Sequence, residues 1–488
     1  MSSAKKLFVH FSHFFGGNML SMLLGLITFP ILTRLLTPEE YGILGLVSTT
    51  IAITVALGKG GLSDGIIRFY REYTNTPERL TLFTSTVLIR GTALSAGVVV
   101  AYVLILPHIS DYLGINTKYL SCFMVMALYL FVRPLNIIVL NYLRTLGKTL
   151  LFNAINLTTK VLSIILSLGL LIYIIRDLYG FFLGLALAEI VATIILLRWL
   201  FSNYRFKFSS VSGDLALNLL KFGIPLLLTE LSYLLLSYVD RYMIVAYSGE
   251  KILGLYTVGY NLPSYANELI MFSLSYAVVP IYTELYQKEG KEKTEEFLSR
   301  VLNYYLMAVI PLCVGYYAVA HDLLVTLASN KYIEAAAFSP IIFIGLVILG
   351  MNSILCAGLY LQKKSLQILA VMITAVIVNI VMNMILLPNY GAMGASVARL
   401  IACTVSAIYA AYLSFRYIRI KIDINTLLYY LAASFVMYLL LIPIQISREW
   451  LNLAMKTIVG GIIIAVAILM REKELREQVK GLVVKLRN

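Results

Sequence analysis

Long apolar runs separated by short clusters of charge recur from one end of the chain to the other, without the every-second-residue alternation of a half-buried strand. Fourteen runs approach or exceed the ~20 residues needed to cross a hydrocarbon core about 30 Å thick. They fall at roughly 10–33, 41–64, 80–106, 117–143, 149–175, 178–200, 217–246, 252–280, 297–320, 337–361, 364–387, 391–415, 425–445 and 450–470. Inside lipid every backbone amide must be satisfied within its own segment or by a closed barrel, so runs of this kind predict helices. The expected fold is an all-α polytopic membrane protein with 14 transmembrane helices, called spans 1 to 14 below.

Composition supports this. Hydrophobic residues make up 60% and charged residues 13% of 488, whereas soluble domains are about 25% charged. The connections on the side of the N-terminus carry 26 Lys and Arg, including Arg68, Arg71 and Arg79 after span 2 and six basic residues after position 470. The opposite side carries seven: Arg34, Lys118, Arg176, Arg241, Lys251, Lys331 and Arg448. The positive-inside rule therefore predicts cytoplasmic termini in a cell membrane. The net charge of +14 is then a property of loops facing anionic headgroups, and no nucleic acid is implied.

Absent motifs narrow the chemistry. Cys122, Cys313, Cys356 and Cys403 lie inside spans at unrelated spacings, unlike a disulfide framework or zinc site. No Walker A, G-x-S-x-G or H-E-x-x-H sequence occurs. The four histidines, His10, His13, His108 and His321, sit near span ends. Neither an enzyme nor a cofactor is expected.

The first twelve spans read as two copies of six at an offset of about 210 residues. Thr33-Arg34 before Tyr41-Gly42 answers Asp240-Arg241 before Gly254-Leu255-Tyr256, and Tyr142-Leu143 with Lys148 answers Tyr360-Leu361 with Lys363 and Lys364. Gly184 five residues before Glu189 answers Gly394 five residues before Arg399. An even number of spans per copy makes the repeats parallel, an arrangement typical of transporters that work by alternating access to a site between the halves. The expected organisation is an N-lobe at 1–210, a C-lobe at 211–420, two further helices at 421–470 and an amphipathic cytoplasmic tail at 471–488.

These landmarks resemble the polysaccharide flippases of the multidrug/oligosaccharidyl-lipid/polysaccharide exporter superfamily, and within it the O-antigen and oligosaccharide-lipid flippases. The resemblance rests on Thr33-Arg34-Leu35-Leu36-Thr37-Pro38-Glu39-Glu40-Tyr41-Gly42, on Gly61-Leu62 with Ile67-Arg68-Phe69, on Lys221-Phe222-Gly223-Ile224-Pro225, on Asp240-Arg241-Tyr242 and on Leu253-Gly254-Leu255-Tyr256. It implies a lipid-linked oligosaccharide substrate with an anionic phosphate linkage, and partners among membrane lipids and other polysaccharide-assembly proteins, for a protein acting as a monomer.

Charges at membrane depth are the independent signal, because each costs about 2.5 kcal/mol or more unless paired or wet. Arg90, Arg133, Lys160 and Glu189 fall near the middle of spans 3 to 6, and Glu230, Glu268 and Arg399 within spans 7, 8 and 12. Arg90, Arg133 and Lys160 suit a diphosphate, for which guanidinium supplies paired donors and ammonium a point charge. The competing reading pairs them internally, for example Lys160 with Glu189. Arg399, Arg34 and Arg241 are further substrate candidates, the last two equally topological anchors. Glu189, Glu230 and Glu268 are candidates for ion coupling or ion pairs, as a drug or metabolite antiporter would require. A membrane polymerase or glycosyltransferase would need a sizeable extracytoplasmic loop, and no such connection exceeds about 20 residues.

Overall fold

The computed structural model describes the backbone of residues 3–472, 476 and 477, and their side chains except at 3–15, 17, 18 and 272–277. The amphipathic tail expected at 471–488 lies almost wholly outside the described residues. The helices are α1 (Ser3–Leu35), α2 (Pro38–Lys59), α3 (Leu62–Phe69), α4 (Pro77–Tyr112), α5 (Leu120–Thr145), α6 (Thr149–Gly169), α7 (Leu178–Asn203), α8 (Gly213–Leu327), α9 (Ser339–Leu355), α10 (Ala357–Leu361), α11 (Ser365–Ser414), α12 (Ile424–Leu441) and α13 (Glu449–Arg471). No strand occurs among the described residues.

Eleven helical stretches are long and apolar enough to cross a membrane. Two carry two crossings each. Gly213–Met271 has 59 residues, about 88 Å at 1.5 Å per residue, and it turns at Gly249, where φ is 79°. Ser365–Ser414, with 50 residues, turns at Gly391, where φ is 54°. Adding α1, these give the fourteen crossings.

The ends of the helices follow from local chemistry. Thr37 caps α2 by accepting from the Glu40 amide while the Glu40 carboxylate accepts from the Thr37 amide, and Pro38 occupies the first helical position. α2 stops at Gly60 and Gly61, both left-handed with φ of 51° and 74°. Thr76 and Asp177 cap α4 and α7.

The chain forms two compact units, Met1–Gly254 and Leu255–Asn488. This division falls between spans 7 and 8, one span later than the 210/211 boundary of the sequence repeat. Span 7 packs on the first unit because glycines allow backbones to touch: a Cβ on Gly223 would collide with Gly61, and one on Gly42 with the Glu250 carbonyl. Pro38 and Gly254 approach in the same way. The landmark glycines of the sequence are thus contact points between helices.

Each unit buries its main cluster at the helix ends that carry the basic loops. In the first, Leu62, Ile66, Phe83, Val87, Tyr142 and Leu219 pack together. In the second, Leu298, Leu302, Ile354, Leu359, Val371 and Ala410 do so. The repeat also shows in packing, since Gly184 rests on the backbone at Leu166 and Ser167 as Gly394 rests on that at Leu386 and Leu387.

Helices α12 and α13 are fastened to the second unit at both ends. At the basic end, Glu295, Ser299 and Asn303 of α8 accept from the amides of Arg419, Lys421 and Asp423 at 2.8, 2.9 and 3.0 Å. Four helical residues rise about 6 Å and two extended residues about 6.6 Å, so every fourth helix side chain meets every second amide. At the other end, Asp322 of α8 binds Lys456 and Asn452 of α13, both at 2.9 Å.

Candidate functional site

In the first unit, α5 and α7 face each other through two polar rungs. Arg133 donates to Glu189 at 3.0 Å, and one turn further on Asn136 donates to Thr193 at 3.4 Å. Glu189 is 4% exposed and Arg133 28% by side chain. The carboxylate expected to meet Lys160 is therefore held by Arg133. Lys160 of α6 instead donates to the main-chain carbonyl of Ser21 on α1. Helical spacing placed both basic groups at suitable depth but could not choose between them, because the choice depends on which face of each helix turns toward α7.

A second pair joins Lys59, at the end of α2, to Glu230 in span 7 at 2.8 Å. Lys59 was missed among the charges at depth, although it precedes the Gly60-Gly61 pair inside an apolar run. Arg90 of α4 is exposed and has no hydrogen-bond or ion-pair partner among the described residues. Its helical neighbours one and two turns on are Ala93 and Gly97, both exposed and small, and the same face continues through the exposed Val100 and Leu104.

Helix α6 also carries a polar face. Asn153, Asn156, Lys160, Ser163 and Ser167 follow one another at three and four residues along an otherwise apolar helix, which sets them on one face. The stripe is legible in the sequence as polar spacing, although only Lys160 in it is ionisable.

Arg241 is 4% exposed, donates to the Gly45 carbonyl at 3.0 Å and Thr49 at 3.2 Å, and lies over the Tyr238 ring at 5.1 Å. Next to it Tyr242 shares a hydrogen bond with Thr50 at 2.8 Å. These contacts fasten span 7 to α2. Arg34 is exposed at the end of α1. Between α2, α4 and Tyr242 lies an apolar cavity of about 320 Å³, lined by Leu46, Ile53, Leu57, Val98 and Ile105 among others.

In the second unit Arg399 is fully buried. Its Nε donates to the Tyr256 hydroxyl at 3.2 Å and its guanidinium lies 4.8 Å from the centre of the Tyr260 ring. Tyr256 stacks in turn on Phe338. Asn352 donates to Ser406 at 2.7 Å and Asn383 to the Asn379 carbonyl at 2.9 Å, so these asparagines join or brace helices. Glu268 is exposed on α8. Of the candidate residues, Arg133 and Glu189 are joined directly by their side chains.

A family model described as polysaccharide biosynthesis protein matches residues 10–286, more than half of the chain. The chain belongs to this family. A second model, MatE, matches residues 225–385. The chain is 24% identical over 367 residues to the uncharacterized membrane protein MJ1068 of Methanocaldococcus jannaschii, covering 69% of the present chain and 70% of the relative. Its fold matches the lipid II flippase MurJ in an inward closed conformation with a TM-score of 0.78 at 15% identity, over 94% of this chain and 98% of that one. It also matches a multidrug resistance MATE family transporter of the MOP superfamily in an inward-facing conformation, with a TM-score of 0.68 at 16% identity, over 81% and 94% of the two chains. The chain is thus a multi-pass membrane protein of the polysaccharide biosynthesis protein family, with the fold that these solved structures share.

Proposed function

We propose that the protein flips a polyprenyl-diphosphate-linked oligosaccharide from the cytoplasmic to the outer leaflet of the cell membrane by ion-coupled alternating access, for cell-surface polysaccharide synthesis, with both termini in the cytoplasm. The carrying observation is the polar stripe on α6 centred on Lys160. A polar face on a membrane helix is stable only against protein or water, and a cation within it adds attraction for a diphosphate. Arg90, exposed on α4, supplies a second such group. The family match, and a fold shared with a lipid II flippase, support a lipid-linked cargo.

In this reading Arg90 and Lys160 meet the diphosphate, while Arg133 and Glu189 form a structural or coupling pair. Arg90→Ala and Lys160→Ala should each leave membrane abundance near normal and reduce translocation of a lipid-linked oligosaccharide in vesicles by roughly ten- to a hundredfold, the loss of a charge-assisted contact of about 1.5–3 kcal/mol. Undiminished translocation in both variants would overturn the reading. The match to the MatE model supports a second one, an antiporter for small organic cations, in which Glu189 or Glu230 carries the coupling proton. Drug export abolished by Glu189→Gln, with lipid-linked oligosaccharide left unmoved, would favour it.

A further inference from the structure

The contact between α8 and α13 holds an unusual donor set. Asp322 is 4% exposed, and one of its oxygens, Oδ2, accepts from both Lys456 and Asn452 at 2.9 Å. Its other oxygen, Oδ1, stands 3.5 Å from Nδ1 of His321. A carboxylate oxygen of Glu449, the first residue of α13, completes a group in which all three ligand atoms lie within 4.8 Å of one another.

We propose that His321, Asp322 and Glu449 bind a zinc ion that staples α13 to the end of α8. Both carboxylates can only accept hydrogen bonds, and 3.5 Å is too long for a good bond from a protonated Nδ1. Asp322 and Glu449 stand in hydrogen-bond contact, so two carboxylates and an imidazole nitrogen converge where a cation can join the carboxylates in place of a shared proton. Lys456 compensates one carboxylate from the far side, so the set keeps one negative charge when His321 is neutral. An imidazole with two carboxylates suits zinc, whereas calcium and magnesium take oxygen ligands in larger number.

The mobility of the groups matches their tasks. Lys456 and Asn452 pin Asp322 through the oxygen that the metal does not use, as outer contacts of ligating carboxylates do. His321, with 56% of its side chain exposed, can swing to close the set to the ~2.0–2.2 Å ligand distances of zinc. Water completes the coordination at this exposed end.

The test uses the full-length protein in detergent. Zinc at micromolar concentration should raise the unfolding temperature by several degrees, because a ligand that binds only the folded state stabilises it, and magnesium should not. Cobalt should give the visible absorption of a bound ion at one equivalent. His321→Gln and Glu449→Gln leave the Asp322 contacts to Lys456 and Asn452 in place, so they should fold normally while losing both the shift and the cobalt spectrum. An unchanged unfolding temperature with no cobalt spectrum in the unsubstituted protein overturns the proposal. So does a full zinc shift retained in His321→Gln, which would place the ion at another histidine.

Discussion

A buried carboxylate inside a membrane protein is safe only while its partner stays. Glu189 is almost fully enclosed and its partner is Arg133, so Arg133→Ala should strand the charge at a cost of about 3–5 kcal/mol. Membrane abundance measured by fluorescence-detected chromatography should fall sharply. The double variant Arg133→Ala with Glu189→Gln should recover abundance, because it removes both charges together; failure to recover would show that the pair does more than neutralise itself. Both residues were visible in the sequence as ionisable groups at depth. Their partnership was not, since residue spacing along one helix carries no information about which way the facing helix is turned. The repeat makes the asymmetry plain. The position equivalent to Glu189 in the second half is Arg399, which donates to a tyrosine hydroxyl and lies over a tyrosine ring.

At the scale of elements, the tightest constraints are on glycine. Gly61 has φ of 74°, and a Cβ there would collide with the Gly223 backbone. Gly61→Ala should therefore destabilise the contact of span 7 with α2 by more than the ~1 kcal/mol of the left-handed backbone alone, read as a lower unfolding temperature. At Gly97, where a Cβ would meet nothing within 4 Å, alanine should be neutral. Equal effects at the two sites would refute the close-approach account. The signals that start helices were legible, as in Thr37-Pro38-Glu39-Glu40, because capping is local chemistry. The meaning of Gly42, Gly61 and Gly254 was legible only as a motif, because what a missing side chain makes room for is distant in sequence.

For the whole molecule, the count of basic residues predicts orientation and the helices supply the crossings. Cysteines introduced near Asn116 and Ser248 should react in intact cells with an impermeant thiol reagent, and those near Asn75 and Gly290 should not. Reversed labelling would invert the direction of transport. The fourteen crossings were legible because twenty apolar residues have few other destinations. The division at Gly254 was not, since it depends on span 7 packing with α2 through Arg241, Gly45 and Thr49. Lys59 belongs to the same class of oversight: a lysine at the end of an apolar run reads as a boundary marker until Glu230 is found beside it.

The strip at 419–423 is recognised by its backbone, with Glu295, Ser299 and Asn303 reading three amides and never a side chain of the strip. Apart from the buried Ile420 and the capping Asp423, its spelling is therefore free while its length is fixed. Replacing Arg419 and Lys421 with alanine should be silent, whereas one residue inserted between them should put every downstream amide out of step with the helix. The join between the transporter body and its last two helices would tolerate drift in composition and resist changes in number, a ruler rather than a code.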